Sequence, residues 1–200
     1  MPHPPDDDLQ LLQEAREGSI EAVNALFAKY GQKLLSLIRL RMGPSLRRRL
    51  ESQDVLQHTM LKAYERLDQF AGGGETSLMA WFGAIARNEI RDQARFFARG
   101  GRDVGRDVPL DLAVGAAHHT LRTEVSRLHL LAQARLLEQA IESLEDNHKE
   151  VILLRRFEEL SFPQIGEHLG KTPDACRMLY SRAMAALTFR VRDAAPAARA

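Results

Sequence analysis

Apolar residues in this 200-residue chain recur at three- and four-residue intervals almost throughout, and no stretch alternates with period two long enough to form a strand. An all-α fold follows. Ser19 stands where it can cap a long helix carrying Val23, Leu26, Phe27, Tyr30, Leu34, Leu37 and Ile38 on one stripe, interrupted near Gly43 and Pro44. A second helix is predicted from near Ser52 to about Asp68, with Val55, Leu56, Met60, Ala63, Tyr64 and Leu67 as its apolar face. The glycine-rich loop Ala71 to Glu75 ends it. Ser77 then caps a third helix through Leu78, Trp81, Phe82, Ile85, Ala86 and Ile90, and the three helices form one small bundle.

From Gly100 to about Thr120 the periodicity gives way to Gly, Asp, Arg, Pro and paired His. It resumes over Leu121 to Leu144, Val151 to Phe157, Phe162 to Leu169 and Pro173 to Val191. The expected organisation is two small helical domains, 8–99 and 122–192, joined by a flexible linker over 100–121 and followed by a disordered Ala/Pro/Arg tail over 193–200. A hydrophobic fraction of 44% with 28% charged residues suits a chain that folds in water. No apolar run approaches the roughly 20 residues of a membrane helix, and Met1 to Asp8 is proline-rich and acidic where a secretory signal is basic then apolar. A cytoplasmic protein without membrane insertion is expected. Cys176 is the single cysteine, so an intramolecular disulfide is excluded and a metal would need His and carboxylate ligands. With 28 Lys plus Arg against 27 Asp plus Glu, any case for nucleic acid rests on local patches.

The sharpest local signal is Ser161 to Pro173. Ser161 with Gln164 three residues on makes a capping box, Gly170 suits the left-handed residue that ends a helix, and Thr172-Pro173 is an N-cap followed by proline in the first turn. Two short capped helices joined by a tight turn read as helix-turn-helix. In the second helix Cys176, Tyr180, Ala183 and Leu187 share a buried face. Thr172, Asp174, Arg177, Met178, Ser181 and Arg182 are left exposed, where a recognition helix meets base edges. An ordinary helical hairpin with a solvated face fits the same pattern.

A second signal is the series Arg87, Arg91, Arg95 and Arg99. Successive members drift by only about 40° on a helix, so they form a basic stripe along which phosphates could track. The same stripe fits a solvated face, with Glu89 and Asp92 nearby. Arg39, Arg41, Arg47, Arg48 and Arg49 form a further basic cluster. Trp81, Phe82, Phe96 and Phe97 lie beside the stripe, and a base stacked on such a ring gains about 1–3 kcal/mol. For Trp81 and Phe82, core packing is the competing role.

The run Glu51 to Met60 continuing through Leu67-Asp68-Gln69-Phe70 resembles region 2.2 of sigma-70-type factors; Ala80 to Asn88 resembles regions 2.3 and 2.4, and Leu144 to Leu187 resembles region 4. The order, and the lack of the middle domain of larger members, resembles the extracytoplasmic-function (ECF) RNA polymerase sigma factors. That resemblance implies a promoter-recognising subunit and not an enzyme, with no catalytic residues, metal or cofactor. It implies that Asp54, Gln57, His58 and Leu61 dock on the clamp helices of the polymerase's largest subunit, with Lys62 and Arg66 beside them and a second contact on the flap. The loop from Ala71 to Ser77, with Trp81, Arg87, Asn88, Arg91 and Arg95, is implied to capture the melted minus-ten element, and the helix-turn-helix surface to read the minus-thirty-five element. An anti-sigma factor is a further implied partner. Two positions depart from the family pattern: His58 stands where Glu is usual, and Leu179 where many members carry Arg.

Two rival readings come from other classes. One is a stand-alone helix-turn-helix regulator, which leaves the Asp54 to Phe70 and Trp81 to Arg91 segments without a use. The other is a metal-dependent hydrolase built on His118, His119 and His129, which lie in or beside the linker without a recognised ligand spacing.

Overall fold

Side-chain caps start the two longest helices of the N-terminal half. The Ser19 hydroxyl accepts the Ala22 N–H at 3.2 Å and the Ser77 hydroxyl accepts that of Ala80 at 3.1 Å. The computed structural model describes residues 6–70, 77–99 and 124–194. The glycine-rich loop, the linker, His118 and His119, and the tail beyond Ala194 lie outside them, as does the side chain of His129. Among the described residues every regular element is helical. Contacts along the chain divide it into two units, Met1–Ala117 and His118–Ala200.

The first unit holds α1 (Asp6–Arg16), α2 (Ile20–Arg41), the single turn α3 (Pro44–Arg47), α4 (Ser52–Glu65), a 3-10 turn (Leu67–Gln69) and α5 (Leu78–Ala98). Helices α2, α4 and α5 pack against one another, and α1 packs on α2. Leu26, Leu34, Leu37 and Ile38 from α2 meet Val55, Leu56, Met60 and Ala63 from α4, with Met79, Phe82 and Ala86 from α5. The Phe82 ring stands 6.4 Å from Phe27 and 5.6 Å from Tyr30. Each of the larger buried side chains contributes roughly 1.5–3 kcal/mol of apolar transfer, and each alanine less.

Two expectations are corrected here. The bundle has more than three helices, because α1 buries Leu12 and Ala15 on α2. It is pinned there by the buried Asp8, which accepts hydrogen bonds from the Tyr30 hydroxyl at 2.6 Å and the Lys29 ammonium at 2.5 Å. Tyr64 is exposed, since it sits roughly 100° from the centre of the α4 apolar face. Thr59 fills that face instead, its hydroxyl satisfied by the Val55 carbonyl at 2.7 Å.

The second unit holds α6 (Glu124–Glu142), α7 (Asp146–Ile152), a π-helical turn (Leu153–Phe157), α8 (Phe162–Leu169) and α9 (Pro173–Ala194). Helix α9 is the hub, packed on α6, α7 and α8. It buries Cys176, Ala183 and Leu187 among Ile141, Val151, Ile152 and Ile165. The α8–α9 turn is set by two glycines. Gly170 takes the left-handed conformation at φ 64° that closes α8. Gly166 has no room for a side chain, because a Cβ there would stand 2.5 Å from the Lys171 carbonyl oxygen.

Candidate functional site

Three surfaces carry the residues singled out above. On α4, Asp54 is exposed while Gln57, His58 and Leu61 are half-buried. Asp54, Gln57 and Leu61 follow one another at spacings of three and four, so they share one side of the helix. His58 does not belong wholly to that side. Its Nδ1 lies 3.4 Å from Oε1 of Glu89 on α5.

Glu89 itself departs from its sequence reading. It is only 3% exposed, an interhelical ion-pair centre where a solvated carboxylate was expected. Lys62 donates to it at 2.5 Å and Gln93 at 2.8 Å. Burial alone would raise the Glu89 pKa. The hydrogen bonds from Lys62 and Gln93 and the charges of Lys62 and His58 outweigh that and hold it below the ordinary glutamate range.

Along α5, Asn88, Arg91 and Arg95 are exposed and Arg87 is half-buried. Arg91 donates to the Asn88 side-chain oxygen at 2.5 Å, and Arg95 lies 3.9 Å from Asp92. An open cleft of about 280 Å³ between α4 and α5 is lined by Lys62, Arg66, Ile85, Asn88, Arg91 and Asp92. It brings Lys62 of α4 and Arg66, which caps the end of that helix, together with the basic face of α5. Trp81 is half-buried, its ring 5.3 Å from Phe70 and 5.4 Å from Phe82. It therefore serves the core with part of its surface and leaves part open. Phe96 is exposed, while the Phe97 ring lies under the Arg49 guanidinium at 5.7 Å, which joins the two basic clusters.

Sequence reasoning missed the role of Arg16. From the last turn of α1 it donates to the carbonyls of Leu67, at 3.3 Å, and Phe70, the first residue and the C-cap of the 3-10 turn. A basic residue in the last turn of a helix was the only local signal, and it does not name a partner 51 and 54 residues away.

In the second unit the capping box has both halves, with Gln164 N–H donating to the Ser161 hydroxyl at 3.4 Å and Ser161 N–H to the Gln164 side chain at 2.8 Å. Thr172 caps α9 through the Ala175 N–H at 3.2 Å. Thr172, Asp174, Arg177, Met178, Ser181 and Arg182 are all exposed, opposite Cys176, Ala183 and Leu187. The Arg177 guanidinium is already engaged: it pairs with Asp174 and lies 5.4 Å from the ring centre of Phe162. Arg155, from the π-helical turn, lies 5.0 Å from the same ring centre.

Comparison with known proteins meets these surfaces in chain order. Residues 26–99 match the model of Sigma-70 region 2, and residues 134–187 that of Sigma-70, region 4, together well over half of the chain. The chain belongs to the sigma-70 family. Among curated sigma factors, it is 29% identical over 164 residues to the RNA polymerase sigma-H factor of Pseudomonas aeruginosa, covering 80% of this chain and 81% of that one. It is 28% identical over 189 residues to the ECF RNA polymerase sigma-E factor of Escherichia coli strain K12, covering 92% and 94%. Two solved structures share the fold. CnrH in complex with the cytosolic domain of CnrY matches at TM-score 0.56 with 24% identity over 94% of this chain and 99% of that chain. The sigma factor RpoE of Bartonella quintana, in complex with the anti-sigma factor NepR, matches at 0.50 with 20% identity over 84% and 93%. This sigma factor is thus of the ECF type, and directs promoter-specific initiation of transcription. Among its described residues, no helix is long and apolar enough to cross a membrane, and no group of three or more His, Cys, Asp or Glu is placed to hold a metal ion.

Proposed function

We propose that the two units divide promoter recognition between them once core RNA polymerase has bound. The first docks through Asp54, Gln57, His58 and Leu61 on the clamp helices, and captures the unpaired minus-ten strand with Trp81, Arg87, Asn88, Arg91 and Arg95. The second sits at the flap and reads the minus-thirty-five element with Thr172, Asp174, Arg177, Met178, Ser181 and Arg182. In this reading the arginines of α5 hold phosphates, the Asn88 amide meets a base edge, and the exposed face of α9 enters the major groove. The chain itself turns over no substrate; nucleotide addition belongs to the polymerase. It works in the cytoplasm, and an anti-sigma factor is a partner of the same reading.

The observation that carries it is the pairing, in one chain, of a region 2 match and a region 4 match on separate units. A stand-alone helix-turn-helix regulator would leave residues 26–99 without work. The test is run-off transcription with bacterial core polymerase on a library of randomised promoters. Enrichment of templates sharing two elements at a fixed spacing supports the proposal. Transcription no higher than with core polymerase alone, across the whole library, refutes it.

A further inference from the structure

We propose that Phe162, which lies outside the recognition helix, sets the base preference of that helix by holding Arg177 in register. The proposal rests on the reading of Arg177 as an upstream base contact. Phe162 is the first residue of α8, and its half-buried ring is where three elements meet. Arg177 from α9 lies over it at 5.4 Å, Arg155 from the π-helical turn at 5.0 Å, and the Tyr180 ring stands edge-on at 5.9 Å. Arg155 is itself fixed by a hydrogen bond to the Leu160 carbonyl at 2.8 Å.

The contacts of Arg177 with Phe162 and Asp174 do not use every donor of its guanidinium. A guanidinium carries five N–H donors in one plane, and a contact with a ring through its carbon uses none of them as a hydrogen bond. One nitrogen donates to Asp174. The remaining edge can still donate to two acceptors side by side, the pattern that a guanine presents in the major groove. A free arginine side chain samples many rotamers and loses that freedom on binding; ring and carboxylate together remove most of it beforehand. Phe162 is therefore a positioning residue for specificity, and its effect has to pass through Arg177.

The measurement is the ratio of initiation on a preferred promoter to initiation on one substituted in the minus-thirty-five element, using the full chain with core polymerase. Phe162→Leu removes the ring but keeps an apolar side chain, and should lower this ratio by about two- to fivefold, the scale of one exposed cation–π contact. Phe162→Tyr keeps the ring and should retain the ratio. Phe162→Met is the second replacement if the leucine variant does not fold, with the thermal melt of each variant as the check. In an Arg177→Ala background, Phe162→Leu should have no further effect on the ratio. If the ratio falls in Arg177→Ala but not in Phe162→Leu or Phe162→Met, the role of Phe162 is refuted while the upstream site stands. A loss in Phe162→Leu that persists undiminished without Arg177 also refutes it, as a packing effect. An unchanged ratio in Arg177→Ala overturns both the placement of the upstream site and the proposal built on it.

Discussion

Replacing Glu89 by Gln keeps the shape of the side chain and removes its charge, which isolates what the buried carboxylate contributes to joining α4 and α5. In the native protein its oxygens lie 2.5 Å from the Lys62 ammonium, 2.8 Å from the Gln93 amide and 3.4 Å from His58. Hydrogen bonds to a charged group contribute about 1.5–3 kcal/mol each, and a lost partner leaves a desolvated group behind. Here the discount is substantial, because the side chains of Lys62 and His58 are 39% and 35% exposed and water can take them over. The expected loss is therefore about 1–2 kcal/mol, below the roughly 3–5 kcal/mol of a fully buried pair that is broken. For a unit of this size that lowers the melting temperature by roughly 4–16 °C. Trp81 is the only tryptophan and lies in the first unit, so its fluorescence follows that unit selectively.

The pH dependence makes the test sharper. The folded-state pKa of Glu89 is depressed below the ordinary value of 4.5. A carboxylate of this kind adds stability that is fully present above the unfolded pKa and lost as pH falls through the folded one. The gap in melting temperature between native protein and Glu89→Gln should be constant near neutrality and shrink once the pH drops below about 4.5. Equal melting temperatures at pH 7, or a gap that persists undiminished at the acid end, would refute the reasoning.

Three further outcomes are expected. Asp54→Ala combined with Gln57→Ala should weaken binding to core polymerase in a direct affinity measurement, while circular dichroism is unchanged, since polar surface substitutions shift stability by only about 0.5 kcal/mol. Arg91→Ala and Arg95→Ala should lower promoter affinity across all sequences and each flatten the logarithmic salt dependence by about one, as expected for a lost phosphate contact; a sequence-selective loss would reassign them to base reading. Gly166→Ala should destabilise the second unit, because the roughly 1 kcal/mol gained in helix propensity is set against a Cβ 2.5 Å from the backbone oxygen of Lys171, which no rotamer change can relieve; a raised melting temperature would contradict this.

What the sequence disclosed and what it withheld divide along one physical line, the range of the interaction. Ser19, Ser77, Ser161 with Gln164, Gly170 and Thr172 act on backbone groups within four residues of themselves, so their work could be read directly. The buried stripes of α2 and α9 were legible for the same reason, since helical period alone sorts one face from another. The pairings that tune the candidate site are of another kind. Glu89 with Lys62, Arg16 with Phe70, and Phe162 with Arg177 span 27, 54 and 15 residues, and each depends on how far one helix slides along its neighbour. A shift of one residue turns a side chain by about 100°, enough to part any of these pairs while leaving every cap and most of the core pattern in place. Local chemistry therefore names the helices and their exposed faces, but only interhelical register decides which exposed residue is held and which is free. His58 illustrates the consequence: as a letter it is a departure on the docking face, whereas in register its Nδ1 lies 3.4 Å from the buried Glu89 carboxylate. A carboxylate placed at 58 should then be felt first in the stability of the first unit, and only secondarily in its affinity for polymerase. Comparing the melting temperature and polymerase affinity of His58→Glu with those of His58→Ala would show it. A larger loss of melting temperature in the glutamate variant than in the alanine variant is the expected sign of a second carboxylate set against Glu89, and equal melting of both variants would return His58 to the docking face.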